Sequence, residues 1–429
     1  MPNIAVIGAG VVGATIAYEL SFLPGLTIDL FDAQEPAQGA TGAALGILMA
    51  VISQKTKGRG WRLREQSLQR YRTLLPELET ATGKTIPGDR QGLVKIMLEA
   101  DWSRWQQLQA VRRSQGYPLE LWTRAEVEQK LSGWPLGYGP IAGAIYSPWD
   151  WQIQPQALTQ RLIEAAQQRG VRCHFHQAAH PLPVADSINH CQNIQTNQAK
   201  FPTDYVVITA GLGSNLLINP NSDNNESLQL QPVIGQAFLL QLADADNPLK
   251  NSPVLTTEDI HLVPLANGQF WLGATVEFPS DSPNGEPNVQ LRENLWHQAI
   301  AYYPFLERAE IINYWSGKRP RPVGESAPVI RPLDGYDNVL LATRPLPQWR
   351  SPRPRYSPGS KNLVEGKASL DNRPHPRPEG SSKFSVNSVN FPLTLGSGLS
   401  KRNLAHHHQH GLINGQIKPK SSTHPHLTD

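Results

Sequence analysis

Residues 3–32 read NIAVIGAGVVGATIAYELSFLPGLTIDLFD. Asn3–Ile7 is short, apolar and rich in branched side chains, the pattern of a buried strand. Gly8-Ala9-Gly10-Val11-Val12-Gly13 follows directly, and the run to about Ser21 places Ala and Val on one helical face. Thr27–Phe31 predicts a second strand, which delivers Asp32 nineteen residues after Gly13. This is the order that a dinucleotide-binding βαβ unit requires. Gly8 permits a tight turn, Gly10 lets the backbone approach a pyrophosphate, and Gly13 lets the helix pack close to the strand. The first-turn amides and the positive end of the helix dipole then face the phosphates. Asp32 can accept hydrogen bonds from a ribose diol. A glycine pattern alone is weak evidence. Strand, helix and acid together favour an adenine dinucleotide over a doubly wound domain whose glycines serve packing only.

The chain has 429 residues, enough for two domains with sizeable cores. Its longest apolar run, Ala43–Ile52, is far short of the roughly eighteen residues a membrane helix needs. The first strand starts almost at the N-terminus, so no signal peptide is expected. Cys173 and Cys191 form no CxxC motif, which suits a reducing cytoplasm rather than a disulfide framework. The net charge of +3 is unevenly spread: residues 344–429 hold 13 basic and 4 acidic residues, leaving 26 and 32 for residues 1–343. The mildly acidic body gives no case for a nucleic-acid partner.

After Asp32 comes QGATGAALGILMA, residues 38–50. Side chains this small leave the backbone open to a ligand lying alongside, or to a tightly packed helix start. Amphipathic spacing predicts a helix over Arg62–Thr82, and Thr123 with Glu126 predicts a capping box at the head of another, ending near Leu131. Strands are expected at Gln91–Leu98 and Gly143–Tyr146, then a helix at Pro155–Gly170 and a strand at Val171–His176. Phe201–Gly211 reads as one buried strand ending in the small pair Ala210-Gly211. Residues 229–276 are strand-rich, Arg292–Tyr303 is helical, and Ile311–Trp315 is a strand leading into a charged turn, Gly317-Lys318-Arg319-Pro320. There are no repeats. The α/β pieces are interrupted by β-rich ones, so a cofactor domain split by a second, antiparallel-sheet domain is expected, with the ligand where the two meet.

IAVIGAGVVGATIAYEL, TGAALGILMA, DWQIQPQALTQRLIEAAQQRGV, DYVVITAGLGS, PVIGQAF, HLVPLANGQFWLGATVE and WSGKRPRP occur in that order over residues 3–343. In this combination the chain resembles the D-amino acid oxidase superfamily of flavoenzymes, on the glycine oxidase branch associated with thiamine biosynthesis. The resemblance implies an α/β fold: an FAD-binding, Rossmann-like domain of glutathione-reductase type with an inserted antiparallel-sheet substrate domain. The FAD parts would be about 1–84, 151–224 and 316–343, and the substrate parts about 85–150 and 225–315. It implies FAD rather than NAD, held noncovalently by Gly8, Ala9, Gly10, Val11, Val12 and Gly13, and by Asp32 with Ala33. Thr41, Gly42, Ala43, Ala44, Gly46, Ile47 and Leu48 would run past the ribityl chain and ring, and Ala210 and Gly211 would close the pocket. Asp32 stands where the family usually has Glu.

The implied reaction is oxidative deamination of glycine or of a small D-amino or N-methyl amino acid. Hydride passes from Cα to the flavin, and molecular oxygen is the second partner. The flavin carries the chemistry, so no catalytic side chain is expected. A cation must hold the substrate carboxylate, and an Arg fork suits that best. Arg319 matches the family's carboxylate-binding Arg, with a surface salt bridge as the alternative; Lys318 and Arg321 are expected to be solvated turn charges. His261 and Val276 match positions lining the substrate pocket. At His261 the glycine oxidase pattern has Tyr, and a purely structural His is equally consistent. Trp149 and Trp151 would either wall the pocket or pack in the core. A D-amino acid dehydrogenase with a non-oxygen acceptor and a non-catalytic truncated remnant are the alternatives; an NAD-dependent dehydrogenase is disfavoured by the small-residue loop. Homo-oligomer formation is left open by these residues.

The resemblance stops at Thr343. The family continues with Gly-His-Tyr/Phe-Arg-Asn-Gly, Ala-Pro-Ala-Thr and a final helix, whereas this chain continues RPLPQWRSPRPRYS. If the first nucleotide of the Arg344 codon is dropped, permitted codons for this run spell Gly-His-Tyr-Arg-Asn-Gly-Val-Leu-Leu-Ala-Pro-Ala-Thr. The hypothesis is a one-nucleotide insertion that puts residues 344–429 out of frame. Sequencing the gene across codon 344 is expected to return codons compatible with that reading, and any incompatible codon set rejects it. The tail, rich in Pro, Ser, Arg and His, is expected to be disordered. Its His406, His407, His408 and His410 are not expected to form a functional metal site.

Overall fold

The structure, a computed structural model, describes residues 1–98, 102–131, 141–184, 187–218, 228–243, 252–324 and 328–343. The expected tail and its histidines lie outside the described residues. All of the described residues fall within one unit, Met1–Gly396.

The first βαβ unit forms as its sequence requires. Asn3–Ile7 and Thr27–Phe31 pair in parallel around the helix Val11–Leu20. Asn3–Ile7 is the middle of a six-stranded sheet whose order is Val329–Pro332, Val339–Thr343, Tyr205–Ile208, Asn3–Ile7, Thr27–Phe31, Arg172–His174. All pairs are parallel except the first. Alternation along Asn3–Ile7 sends Ile4 and Val6 into a core with the helices Val11–Leu20, Gly58–Thr82 and Pro155–Gln168. Ala5 and Ile7 face the opposite way, into a core that includes Cys191 and Ile194 of a three-stranded antiparallel sheet.

A second sheet has eight strands, in the order Glu310–Pro322, Leu230–Gln241, Gln269–Gly273, Ile260–Pro264, Val254–Thr257, Leu93–Met97, Gly143–Ser147, Glu120–Thr123. Its pairs are antiparallel except Val254–Thr257 with Leu93–Met97. One face carries Val94, Leu255, Leu262, Leu272 and Phe238, packed with the residues Leu295 and Ala299 of the helix Val289–Tyr302. The other carries Val254, Val263 and Ala237, packed with Leu45, Ile47 and Val51 from the small-residue loop and its continuation. The loop therefore connects the two sheets.

Several sequence-based expectations are corrected. Phe201–Gly211 is not one strand: Lys200–Pro202 belongs to the three-stranded sheet and Tyr205–Ile208 to the six-stranded one. Thr203, between them, spends its hydroxyl on the backbone oxygens of Asn3 and Tyr205. The charged turn at Gly317–Pro320 is instead the continuation of a 13-residue strand, paired along its length with Leu230–Gln241. Cross-strand bonding overrides the Gly and Pro that suggested a turn. The helix Trp102–Ser114 is unanticipated, the expected helix from Arg62 begins a turn earlier as Gly58–Thr82, and the strand Val254–Thr257 falls within the stretch read only as strand-rich. The Thr123–Glu126 capping box forms as expected.

Candidate functional site

The strand ends of the six-stranded sheet, the small-residue loop and one face of the eight-stranded sheet enclose a cavity of about 1620 Å³. Small-molecule pockets usually span ~300–1,000 Å³. The extra volume suits an extended dinucleotide together with a small second ligand.

At one end, Gly8 has φ of 110°, and a Cβ there would lie 2.7 Å from the Thr209 carbonyl carbon. A Cβ on Gly13 would lie 1.8 Å from the Gly8 oxygen, so helix and turn touch through that glycine. No side chain caps the helix at Gly10. The Val11 amide donates to Thr41 Oγ1 at 3.0 Å, which ties the helix start to the small-residue loop. With the Val11 amide taken by Thr41, the amides that follow it and the positive end of the helix dipole make this start a ready anion site. Asp32 Oδ2 accepts from the Ala9 amide at 2.6 Å and Oδ1 from the Gln34 amide at 2.9 Å. The acid therefore fixes the turn while each oxygen keeps capacity for a ligand hydroxyl.

The small-residue loop is narrow because it is pressed from two sides. Trp315 Nε1 donates to the Ala43 carbonyl at 3.1 Å, and a Cβ on Gly317 would lie 2.3 Å from that of Ala43. On the other side a Cβ on Gly46 (φ 71°) would meet the Ile153 oxygen at 1.8 Å. The continuation, residues 50–55, is clamped by two buried charges. Asp150 accepts from the amides of Ala50, Val51 and Ile52 at 2.5, 2.9 and 2.8 Å. Arg112 donates to the carbonyls of Val51, Ser53 and Lys55 at 2.7, 2.6 and 2.9 Å and lies 3.6 Å from the Trp61 ring centre. Burial brings its guanidinium down to about 10.

The opposite wall comes from the eight-stranded sheet. Registers Lys95–Thr256, Thr256–His261, His261–Gly273, Gly273–Ala237 and Ala237–Trp315 run straight across six strands, so these positions share a face. Arg319, four residues beyond Trp315 and opposite Val233, shares that face too. Arg319 is half-buried in the cavity wall, with Val276 and His261 in the same wall. Burial, with Lys95 adding to it, pushes the His261 imidazole down to about 4, so the ring is neutral at physiological pH. Behind Val276, Glu277 is fully buried and accepts from Gln236, Thr275, Ser282 and the Asn288 amide, which holds this wall rigid.

Of the twenty residues singled out from the sequence, seventeen line the cavity; Ala9, Gly13 and Gly42 do not. Ala9 and Gly13 act from behind, through the Asp32 bond and the helix contact. Gly42 packs on the Ala37 carbonyl. Trp149 and Trp151 are absent from the lining; Trp149 lies under the Arg72 guanidinium, meets Tyr117 edge to face and packs against the core, so its packing alternative holds. Lys318 is exposed, within a strand rather than a turn, and Arg321 lies 5.0 Å from the Phe278 ring centre. Sequence reasoning missed Gln177, His180, Thr209, Asp259 and Phe278 in the lining. Gln177 and Thr209 follow the ends of parallel strands, and the rule that ligands collect there could have found them.

A model of the family described as FAD dependent oxidoreductase, DAO, matches residues 3–344. The chain belongs to this family of FAD-dependent oxidoreductases. Among curated relatives of this FAD-dependent oxidoreductase is the glycine oxidase of Geobacillus kaustophilus (strain HTA426). It is 28% identical over 331 residues, covering 74% of this chain and 81% of the relative. The bifunctional protein ThiO/ThiG of Synechocystis sp. (strain ATCC 27184 / PCC 6803 / Kazusa) is 26% identical over 79% of this chain, which spans 48% of that longer protein. The fold is similar to the crystal structure of glycine oxidase from Bacillus cereus ATCC 14579, with a TM-score of 0.68 at 21% identity, over 80% of this chain and 89% of that one. The family match ends one residue past Thr343, where the motif resemblance stops. Among the described residues no helix is long and apolar enough to cross a membrane.

The residues present fit FAD. The uncapped helix start, the open side of Gly211, where an added Cβ would meet nothing within 4 Å, and the aspartate at the second strand end supply anion, backbone and diol contacts in one cavity.

Proposed function

We propose that this flavoenzyme oxidises glycine or a small D-amino or N-methyl amino acid, with oxygen as electron acceptor, in the cytoplasm. One observation carries the reading: the cavity that begins at the Gly8–Val12 turn reaches Arg319, His261 and Val276 on the other sheet. Bound FAD supplies the hydride acceptor. Gly8, Gly10 and the helix start at Val11–Val12 would hold its pyrophosphate and Asp32 its ribose, and Thr41–Leu48 with Ala210-Gly211 would flank the remainder. Arg319 fixes the substrate carboxylate and thereby orients Cα. The neutral His261 offers a hydrogen bond without adding charge, and Val276 limits side-chain size. The six-stranded sheet then belongs to a cofactor domain and the eight-stranded sheet to a substrate domain, the latter including Glu310–Pro322 entire.

The glycine oxidase relatives support the substrate class, and the similarity to the bifunctional ThiO/ThiG protein supports the thiamine-linked branch. A second reading, a chain with impaired activity, is favoured by the family match ending at residue 344. The visible spectrum of the purified chain, recorded without oxygen before and after adding glycine, N-methylglycine or D-alanine, tests both. Flavin bands that bleach are expected from a working site. Bands that persist with every amine reject the substrate class, and absence of flavin supports the impaired chain.

A further inference from the structure

The substrate end of the cavity contains a negative charge with no role so far. Strands Val254–Thr257 and Ile260–Pro264 form a hairpin whose two-residue turn is Glu258-Asp259, with Glu258 at φ of 50°. Glu258 is exposed, whereas Asp259 is half-buried and lines the cavity with His261, two residues on. Among the described residues Asp259 makes no hydrogen bond, unlike Asp281, whose Oδ2 accepts the Phe278 amide at 2.8 Å.

The charge around the hairpin does not cancel. Lys95, buried on the neighbouring strand Leu93–Met97, feels both Asp259 and Glu258. One ammonium against two carboxylates leaves the hairpin tip one unit negative. Next to it, His261 is neutral and its Nδ1 is buried without a hydrogen-bond partner among the described residues. The cavity wall therefore has a fixed cation at Arg319, a fixed anion at Asp259 and no compensating positive charge from His261. A site of that polarity complements a zwitterion over a hydroxy acid of the same shape, because the latter offers Asp259 a neutral hydroxyl donor in place of an ammonium charge.

We propose that Asp259 is a specificity-determining residue that holds the protonated nitrogen of the substrate while Arg319 holds its carboxylate. This rests on the amino-acid oxidase reading above. Asp259 contributes to binding and not to hydride transfer, since a carboxylate stabilises the ammonium form and the nitrogen must lose a proton before the C–H bond breaks.

The test pairs glycine with glycolate, which differ only in nitrogen against oxygen at Cα. Dissociation constants are obtained without oxygen on the FAD-loaded chain, its Asp259→Asn variant and its Asp259→Glu variant, for glycine from the concentration dependence of the flavin reduction rate, which also gives the limiting rate, and for glycolate from its perturbation of the flavin spectrum. Asp259→Asn is expected to weaken glycine about 10- to 100-fold, to leave glycolate within about twofold, and not to lower the limiting reduction rate, because the ammonium contact it removes is given up before the C–H bond breaks. Asp259→Glu is expected to restore most of the glycine preference. If glycine and glycolate weaken together, or neither changes, while wild-type flavin is still reduced by glycine, the Asp259 assignment is overturned alone. If the wild-type chain binds glycolate but none of glycine, N-methylglycine or D-alanine, the amino-acid reading falls and this inference with it.

Discussion

Replacing Arg319 with alanine will lower kcat/KM for an amino-acid substrate about 30- to 1000-fold. That corresponds to the ~2–4 kcal/mol expected when one partner of a partly buried, hydrogen-bonded charge pair is deleted. The loss will fall mainly on KM if the carboxylate contact is equal in the ground and transition states, and on kcat as well if orientation of Cα is lost. Arg319→Lys keeps the charge but not the planar fork, and an intermediate loss of about tenfold is expected. Stopped-flow flavin reduction at several substrate concentrations measures both quantities. Unchanged kcat/KM in Arg319→Ala would show that Arg319 is a wall residue and that the carboxylate is held elsewhere.

The second large effect concerns stability. Arg112→Met removes the donor shared by three backbone carbonyls and leaves the oxygens of the buried Val51 and Ser53 unsatisfied, while the exposed Lys55 can turn to water. At ~1–3 kcal/mol per orphaned group, reduced by the apolar packing Met retains over Trp61, a cost of about 3–5 kcal/mol is expected. For a chain of this size the melting temperature should drop on the order of 10 °C. Because the freed segment continues from the Thr41–Leu48 wall, FAD affinity should fall in the same variant, measurable by ultrafiltration of released flavin. A melting curve superimposable on wild type would mean that the segment is held by Asp150 alone.

The parts of this site legible in the sequence were those whose chemistry is local. The Gly8–Gly13 turn, Asp32 and the dense small residues of the loop declare themselves because each needs a particular residue type at a fixed spacing from a strand. Arg319 and His261 carried no such local sign and came from resemblance. Their meaning depends on cross-strand register, which a strand pattern does not encode: Ser316–Pro320 looks like a turn until it is known to pair with Pro232–Gln236. Asp259 was hidden for the same reason, as a hairpin-turn acid is ordinarily solvated. The clamp on residues 50–55 was hidden more deeply still. Asp150 is about a hundred residues away from the amides it holds, and Arg112 about sixty from its carbonyls, so neither could be assigned a partner before folding.

The position of Asn3–Ile7 at the centre of the six-stranded sheet has a consequence during synthesis. Its first parallel neighbour, Thr27–Phe31, emerges almost at once, but the strand on its other side is Tyr205–Ile208, and that strand's own outer partner is Val339–Thr343. At roughly 5–20 residues per second, the glycine turn that opens the chain spends ~10–40 s beside an unpaired apolar edge before residue 208 is made. Cofactor capture by this protein is therefore a late event in the life of the nascent chain, although the motif that announces it is made well before the strands that complete its sheet.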